Sequence, residues 1–181
     1  MNAPIETRMV QQDDRKITVE IYPDLHPDDP NDWDSTGTFH VFETAQEFWR
    51  AAEDTFGRRA QAIIDRLVAG EAVRVLKTTY IGLERYRHSG DVYARCKQGC
   101  FPDRQWDVSP IVGWWESNGG ADPERFDSCL ETWNQYVGGD VYGVVLKDEE
   151  GEILESLWGV YGADGIDDCV SDLLKELESV V

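Results

Sequence analysis

Between Arg15 and Tyr22, apolar Ile17, Val19 and Ile21 alternate with polar neighbours, the period of two expected of a strand with one buried face. Pro23, Pro27 and Pro30 then hold the chain extended through an acidic loop, since each ring fixes φ and restricts the residue before it. Gly37 to Phe42 reads as a second strand. At Thr44 the period changes. Thr44-Ala45-Gln46-Glu47 has capping-box spacing, and Phe48, Ala52, Phe56, Ala60, Ile63, Ile64 and Leu67 follow at helical intervals until Gly70. Gly57 weakens the middle of that helix and is the point at which it can split in two. Ala72 to Ala94 predicts two strands with a turn near His88-Ser89-Gly90-Asp91, and Ile111 to Glu116 a further strand. Asp122 and Pro123 open a helix with Phe126, Leu130, Trp133 and Val137 as its buried stripe, and Gly138-Gly139 stops it. Asp140 to Lys147 and Ile153 to Tyr161 form a hairpin around Asp148-Glu149-Glu150-Gly151. A last helix, from about Ile166, turns Ile166, Cys169, Val170, Leu173, Leu174 and Leu177 inward.

The order of elements contains hairpins rather than regular βαβ units. It predicts an α+β fold: a mainly antiparallel sheet of about five to seven strands with three helices packed on it. Residues 1–15 read as a flexible arm and residues 16–181 as a single α+β domain, with the proline loop at 23–30 as the place for any internal boundary. A chain of 181 residues is long enough to bury a core without staples. Its N-terminus lacks the apolar segment of a signal peptide, and no apolar run approaches the roughly 20 residues of a membrane span. Cys96, Cys100, Cys129 and Cys169 are too sparse for a disulfide framework. A cytoplasmic protein without membrane contact is expected.

Charge changes the picture most. Thirty-six acids against 17 bases give a net charge of −19. Residues 1–57 carry 13 acids and 4 bases, residues 58–110 carry 6 and 10, and residues 111–181 carry 17 and 3. Such a surface repels nucleic acid and anionic lipid and attracts basic protein. The basic middle, with Arg85, Arg87, Arg95, Lys97 and Arg104, is expected to pair with the acidic ends inside the chain or in a homo-oligomer.

Few motifs carry chemistry. Read from Asp32, the stretch NDWDSTGTFHVFE fits a calcium-loop template, with Asp32, Asp34, Thr36 and Glu43 as the ligands. Three prolines bar an entering helix, so a tight turn with surface acids is the preferred reading, and calcium is the one cofactor the sequence admits. Cys96-x-x-x-Cys100 with His88 offers three zinc ligands where about four are needed. The three histidines stand beside no nucleophile elbow, and no phosphate loop occurs. No catalytic residue is assigned; a carboxylate-based enzyme is the remaining enzymatic alternative.

Acidic residues recur at helical steps. Glu124, Asp127 and Glu131 share one face of the helix after Asp122, and Asp168, Asp172 and Glu176 recur every four residues on the last. Neighbours at these steps lie about 5–6 Å apart, and like charges there cost the helix a few tenths of a kcal/mol per pair. A fixed row of carboxylates resembles the phosphates of a nucleic-acid strand. With Asp28, Asp29, Asp32 and Asp34, these residues are the candidate partner-binding set.

Several islands also resemble a known family. Asp28 to Thr38, DDPNDWDSTGT, is similar to a Pro-x-x-Trp-Asp-Asn-x-Gly-Thr signature. Arg87-His88-Ser89-Gly90, Trp106-Asp107 with Gly113, YVGGDVYG from Tyr136 to Gly143, and WGVYG from Trp158 to Gly162 resemble the rest of it. Together they resemble small uncharacterised proteins carried by phages, plasmids and other mobile elements. Leu157 stands where that family often has Cys. The resemblance implies a genetic context rather than an activity. With the charge, it leads to the expectation of a non-catalytic inhibitor of a basic host defence protein, a nuclease or CRISPR effector, acting by nucleic-acid mimicry without touching nucleic acid itself. A cation-binding or structural accessory protein is the alternative.

Overall fold

The computed structural model describes residues 3–12, 15–33, 35, 37–99, 101, 107–117 and 123–179. Its strands are β1 (Glu6–Gln12), β2 (Arg15–Pro23), β3 (Thr38–Val41), β4 (Ala72–Val75), β5 (Thr78–Arg87), β6 (Asp91–Arg95), β7 (Val108–Glu116), β8 (Val141–Lys147) and β9 (Ile153–Tyr161). Its α-helices are α1 (Ala45–Phe56), α2 (Ala60–Val68), α3 (Phe126–Gly138) and α4 (Ile166–Ser179). The fold is α+β and all strand pairs are antiparallel. The strands fall into two sheets rather than one, and the chain divides into two compact units, residues 1–28 with 139–181 and residues 29–138.

The first unit is a four-stranded sheet in the order β1-β2-β8-β9. The predicted period of two places Ile17, Val19 and Ile21 on one face, where with Val144, Leu146 and Val160 they meet Ile166, Val170 and Leu173 of α4. Residues 6–12, read from the sequence as part of a loose arm, form β1 and pair along β2 from Glu6↔Ile21 to Gln12↔Arg15. Arg8 bonds Glu6 and Asp167, and the Gln12 amide donates to Leu174 O and Glu178 Oε1, both at 2.9 Å. On the other face Glu20 is held by Lys147 at 2.6 Å and by the Tyr22 hydroxyl at 2.5 Å, which keeps its carboxyl below the usual range. Trp158 covers Gly143, where any side chain would strike the indole.

The second unit is a five-stranded sheet covered on both faces. Its order is β3-β7-β5-β4, with β6 also paired to β5. Consecutive tryptophans on β7 point opposite ways. Trp114 packs with Phe48, Phe56, Ile63, Ile64 and Leu67 of α1 and α2, and Trp115 packs with Phe126, Cys129 and Trp133 of α3. The capping box at Thr44 and Glu47 is formed in both directions. Gly57, at φ 57°, interrupts the long predicted helix, and a 3-10 turn (Gly57–Arg59) joins α1 to α2. Two asparagines staple the outer strands. Asn31 exchanges hydrogen bonds with Phe39 of β3 (2.7 and 3.2 Å), and Asn134 with Tyr93 of β6 (2.8 and 2.9 Å). Buried Glu84 accepts from the backbone N–H of Lys97 (3.1 Å) and Gly99 (2.9 Å), which fixes the chain after β6.

Candidate acidic interaction surface

The acidic residues of the two rows lie in different units, and Glu124 stands in a 3-10 turn, Pro123–Arg125, ahead of α3. Asp168, Asp172 and Glu176 are exposed along α4 of the first unit, with Asp28 exposed at the end of its first segment. Glu124, Asp127 and Glu131 are exposed in and before α3 of the second unit. Asp29 and Asp32 belong to that second unit too. Asp29 caps and Asp32 ends the 3-10 turn Pro30–Asp32, which packs against α3, and their charges add to burial in raising the pKa of Tyr136. Asp34, Thr36 and Asp122 lie outside the described residues.

The two units differ in their balance of acids and bases. On α4, Lys175 is the lone base in the helix sequence. It pairs with Asp172 at 2.8 Å, which raises its pKa. Arg8 reaches Asp167 from β1. The first unit as a whole holds 18 acids and 5 bases, and the second 18 acids and 12 bases, so −13 of the net −19 sits in the smaller unit.

The basic middle is largely spent within its own unit. Arg85, with only 7% of its side chain exposed, donates to Glu43 at 2.8 Å. Arg87 bonds Asp91 at 2.6 and 2.7 Å and Glu43 at 3.2 Å, and these guanidiniums hold the Asp91 carboxyl below its ordinary value, Arg87 first. Arg66 pairs with Glu71 at 2.7 Å, and Arg95 donates to Gly70 O at 2.9 Å. Glu43, which takes both Arg85 and Arg87, lies in the acidic segment 1–57, so the expected pairing with an acidic end is met there, while Asp91 and Glu71 are local partners. Arg104 is outside the described residues.

Glu43 therefore departs from the calcium-loop reading. The twelfth-position carboxylate is turned onto Arg85 and Arg87, and Asp29 Oδ1 accepts the Asn31 N–H at 2.8 Å as the cap of a turn. Among the described residues no group of three or more His, Cys, Asp or Glu side chains is placed to hold a metal ion. His88 Nδ1 faces Asp107 at 3.5 Å, while the buried Cys96 thiol lies 3.3 Å from Pro110 O; Cys100 is outside the described residues.

Sequence reasoning missed one polar group. His40 Nε2 lies 3.0 Å from Glu116 Oε2, and the Tyr80 hydroxyl is 3.5 Å from Glu116 Oε1. Burial and Glu116 together raise the pKa of Tyr80. These residues come from three strands and meet only through register, Tyr80↔Glu116↔Thr38 and Trp114↔His40. A cavity of about 290 Å³ beside the start of α1 is walled by Phe42, Phe48, Trp49 and Ile111, with Arg85 and Glu43 already paired to each other at its side.

No helix among the described residues is long and apolar enough to cross a membrane. Comparison with protein-family models, curated proteins and solved structures finds no match.

Proposed function

We propose that this chain is a non-catalytic, acidic binding protein that occupies the basic nucleic-acid groove of a partner. The observation that carries the reading is the α4 row. Asp168, Asp172 and Glu176 stand exposed at successive turns, about 6 Å apart along a helix that rises roughly 1.5 Å per residue. A rigid helix on a packed sheet presents these charges without the ordering cost a flexible acidic tail would bear. Opposite charge steers the encounter and raises the association rate. The islands that resemble mobile-element proteins point to a host defence protein, a restriction-type nuclease or a CRISPR effector, as the partner class.

The test is capture from host lysate at about 0.05 M salt, with elution at about 0.5 M, where screening lengths are far shorter. Wild type is expected to retain a nucleic-acid-binding protein that salt or excess duplex DNA releases. The charge-reversed Asp168→Lys/Asp172→Lys/Glu176→Lys protein is expected to retain none. Retention indifferent to salt, or equal in the reversed protein, overturns the reading.

A further inference from the structure

β4 and β5 are joined by two residues, Leu76 and Lys77, between the paired Val75 and Thr78. Leu76 has φ 56° and is 92% exposed. A non-glycine residue in that region costs about 1–3 kcal/mol, and glycine is the ordinary occupant of such a hairpin position. This leucine packs nothing in its own fold and strains the turn that carries it. Its surroundings are basic. Arg74 and Lys77 are exposed on the hairpin, and Arg58 and Arg59 are exposed in the turn between α1 and α2. That turn follows Phe56, which packs edge-on against Tyr80 at 4.9 Å near the start of β5, the end of the sheet where Leu76 lies. None of these four bases has an ion-pair partner among the described residues.

A surface of opposite character lies in the first unit. β9 ends its sheet, and residues 153–159 are all exposed. Ile153, Leu154, Leu157 and Trp158 are 38–54% exposed; Leu157, opposite Val144, and Trp158, over Gly143, stand on opposite faces, so this strand carries exposed apolar side chains on both faces. Glu152 and Glu155, also exposed, border them. Exposed apolar side chains with a polar rim are the anatomy of a docking site.

We propose that these two surfaces bind each other between copies of the chain. Leu76 seats on the exposed apolar side chains of β9 in a second molecule, and Arg58, Arg59, Arg74 and Lys77 face the carboxylates around them. Leu76 meets apolar side chains of β9, and the four bases meet Glu152, Glu155 and the hairpin acids Glu149 and Glu150, with Arg15 and Lys16 the bases beside Leu154. The contact is head-to-tail, so it grows or closes into a ring according to the rotation it imposes. The α4 row takes no part, so this proposal stands or falls separately from the partner reading.

Sedimentation velocity of the full chain over a wide concentration range tests it. Assembly is expected at about 0.05 M salt and is expected to weaken about tenfold or more at 0.5 M. Leu76→Gly relieves the turn, so it is expected to keep or raise the melting temperature while weakening assembly; a purely internal role would give no such split. Arg74→Glu/Lys77→Glu and Glu152→Lys/Glu155→Lys are each expected to stay monomeric alone and to associate when mixed. A monomer under every condition, assembly unchanged by Leu76→Gly, or tip variants that lose only the binding of random-sequence duplex DNA would each overturn the proposal.

Discussion

The same kind of residue does different work in the two units. In residues 29–138, several carboxylates are structural, although Glu124, Asp127 and Glu131 stand exposed. Glu43 and Asp91 neutralise Arg85 and Arg87, Glu84 holds the chain after β6, and Glu116 bridges His40 and Tyr80. In residues 1–28 with 139–181, Glu20 and the Arg8 partners are structural, but the α4 row faces solvent with one lysine beside it. The sheets differ in the same sense. The second unit has helices on both faces and an asparagine staple on each of β3 and β6, while the first ends in a strand with seven consecutive exposed residues. Exposed charge and exposed apolar surface are the features by which one molecule can meet another.

The largest expected effect breaks the packed unit. Trp114 is 1% exposed and touches His40, Phe42, Phe48 and Phe56. Trp114→Ala should cost about 3–5 kcal/mol, from lost burial and the cavity left behind. Denaturant unfolding measures the loss. Hydrogen exchange should show protection falling first in β5 and β7, while β2 and β8, whose core is a separate cluster, keep more of theirs.

The next effect concerns a carboxylate that folding uses. The Asp91 side chain is 22% exposed and bonded to Arg87, with Arg85 at 3.7 Å. Asp91→Asn should cost about 1–3 kcal/mol, because a hydrogen-bonded charge beside a buried guanidinium is removed. The pH dependence has a definite sign. The folded carboxyl titrates below its unfolded value of about 3.9, so its contribution is complete above that pH and is lost as pH falls through the lowered folded value. Acid unfolding of Asp91→Asn should therefore be shallower on that limb. An unchanged acid limb would remove Asp91 from the structural set.

What was legible in the sequence divides along the range of the interaction. The capping box at Thr44 and Glu47, the stripes of α3 and α4, and the alternation in β2 are local, so spacing alone predicts them. The break between β4 and β5 was not visible, because Leu76-Lys77 carries none of the residues that usually mark a turn. β1 was missed because its order comes from pairing with β2 rather than from its own weak pattern. Division into two sheets depends on β2 meeting β8 and β3 meeting β7, pairings distant in sequence. The α4 row could be read from helical spacing, but not the placement of the two acidic rows in separate units. The Asn31 and Asn134 staples left no local signal at all.

The smallest expected effect sharpens the comparison most. Asp168→Asn/Asp172→Asn is the same chemical change as Asp91→Asn, made on the other unit. Neutralising Asp168 removes a charge that the amino-terminal end of α4 favours, and relieves repulsion with Asp172 one turn on. Neutralising Asp172 gives up the 2.8 Å pair with Lys175 and relieves repulsion with Asp168 and Glu176. These opposing contributions are each about a few tenths of a kcal/mol, so stability should stay within about 0.5 kcal/mol of wild type. Retention of the basic partner, and its salt dependence, should nevertheless decline. A carboxylate whose removal leaves the fold unmoved and the binding impaired belongs to the interface. If this pair instead destabilised the chain as much as Asp91→Asn, the α4 row would be structural and the contrast between the units would disappear.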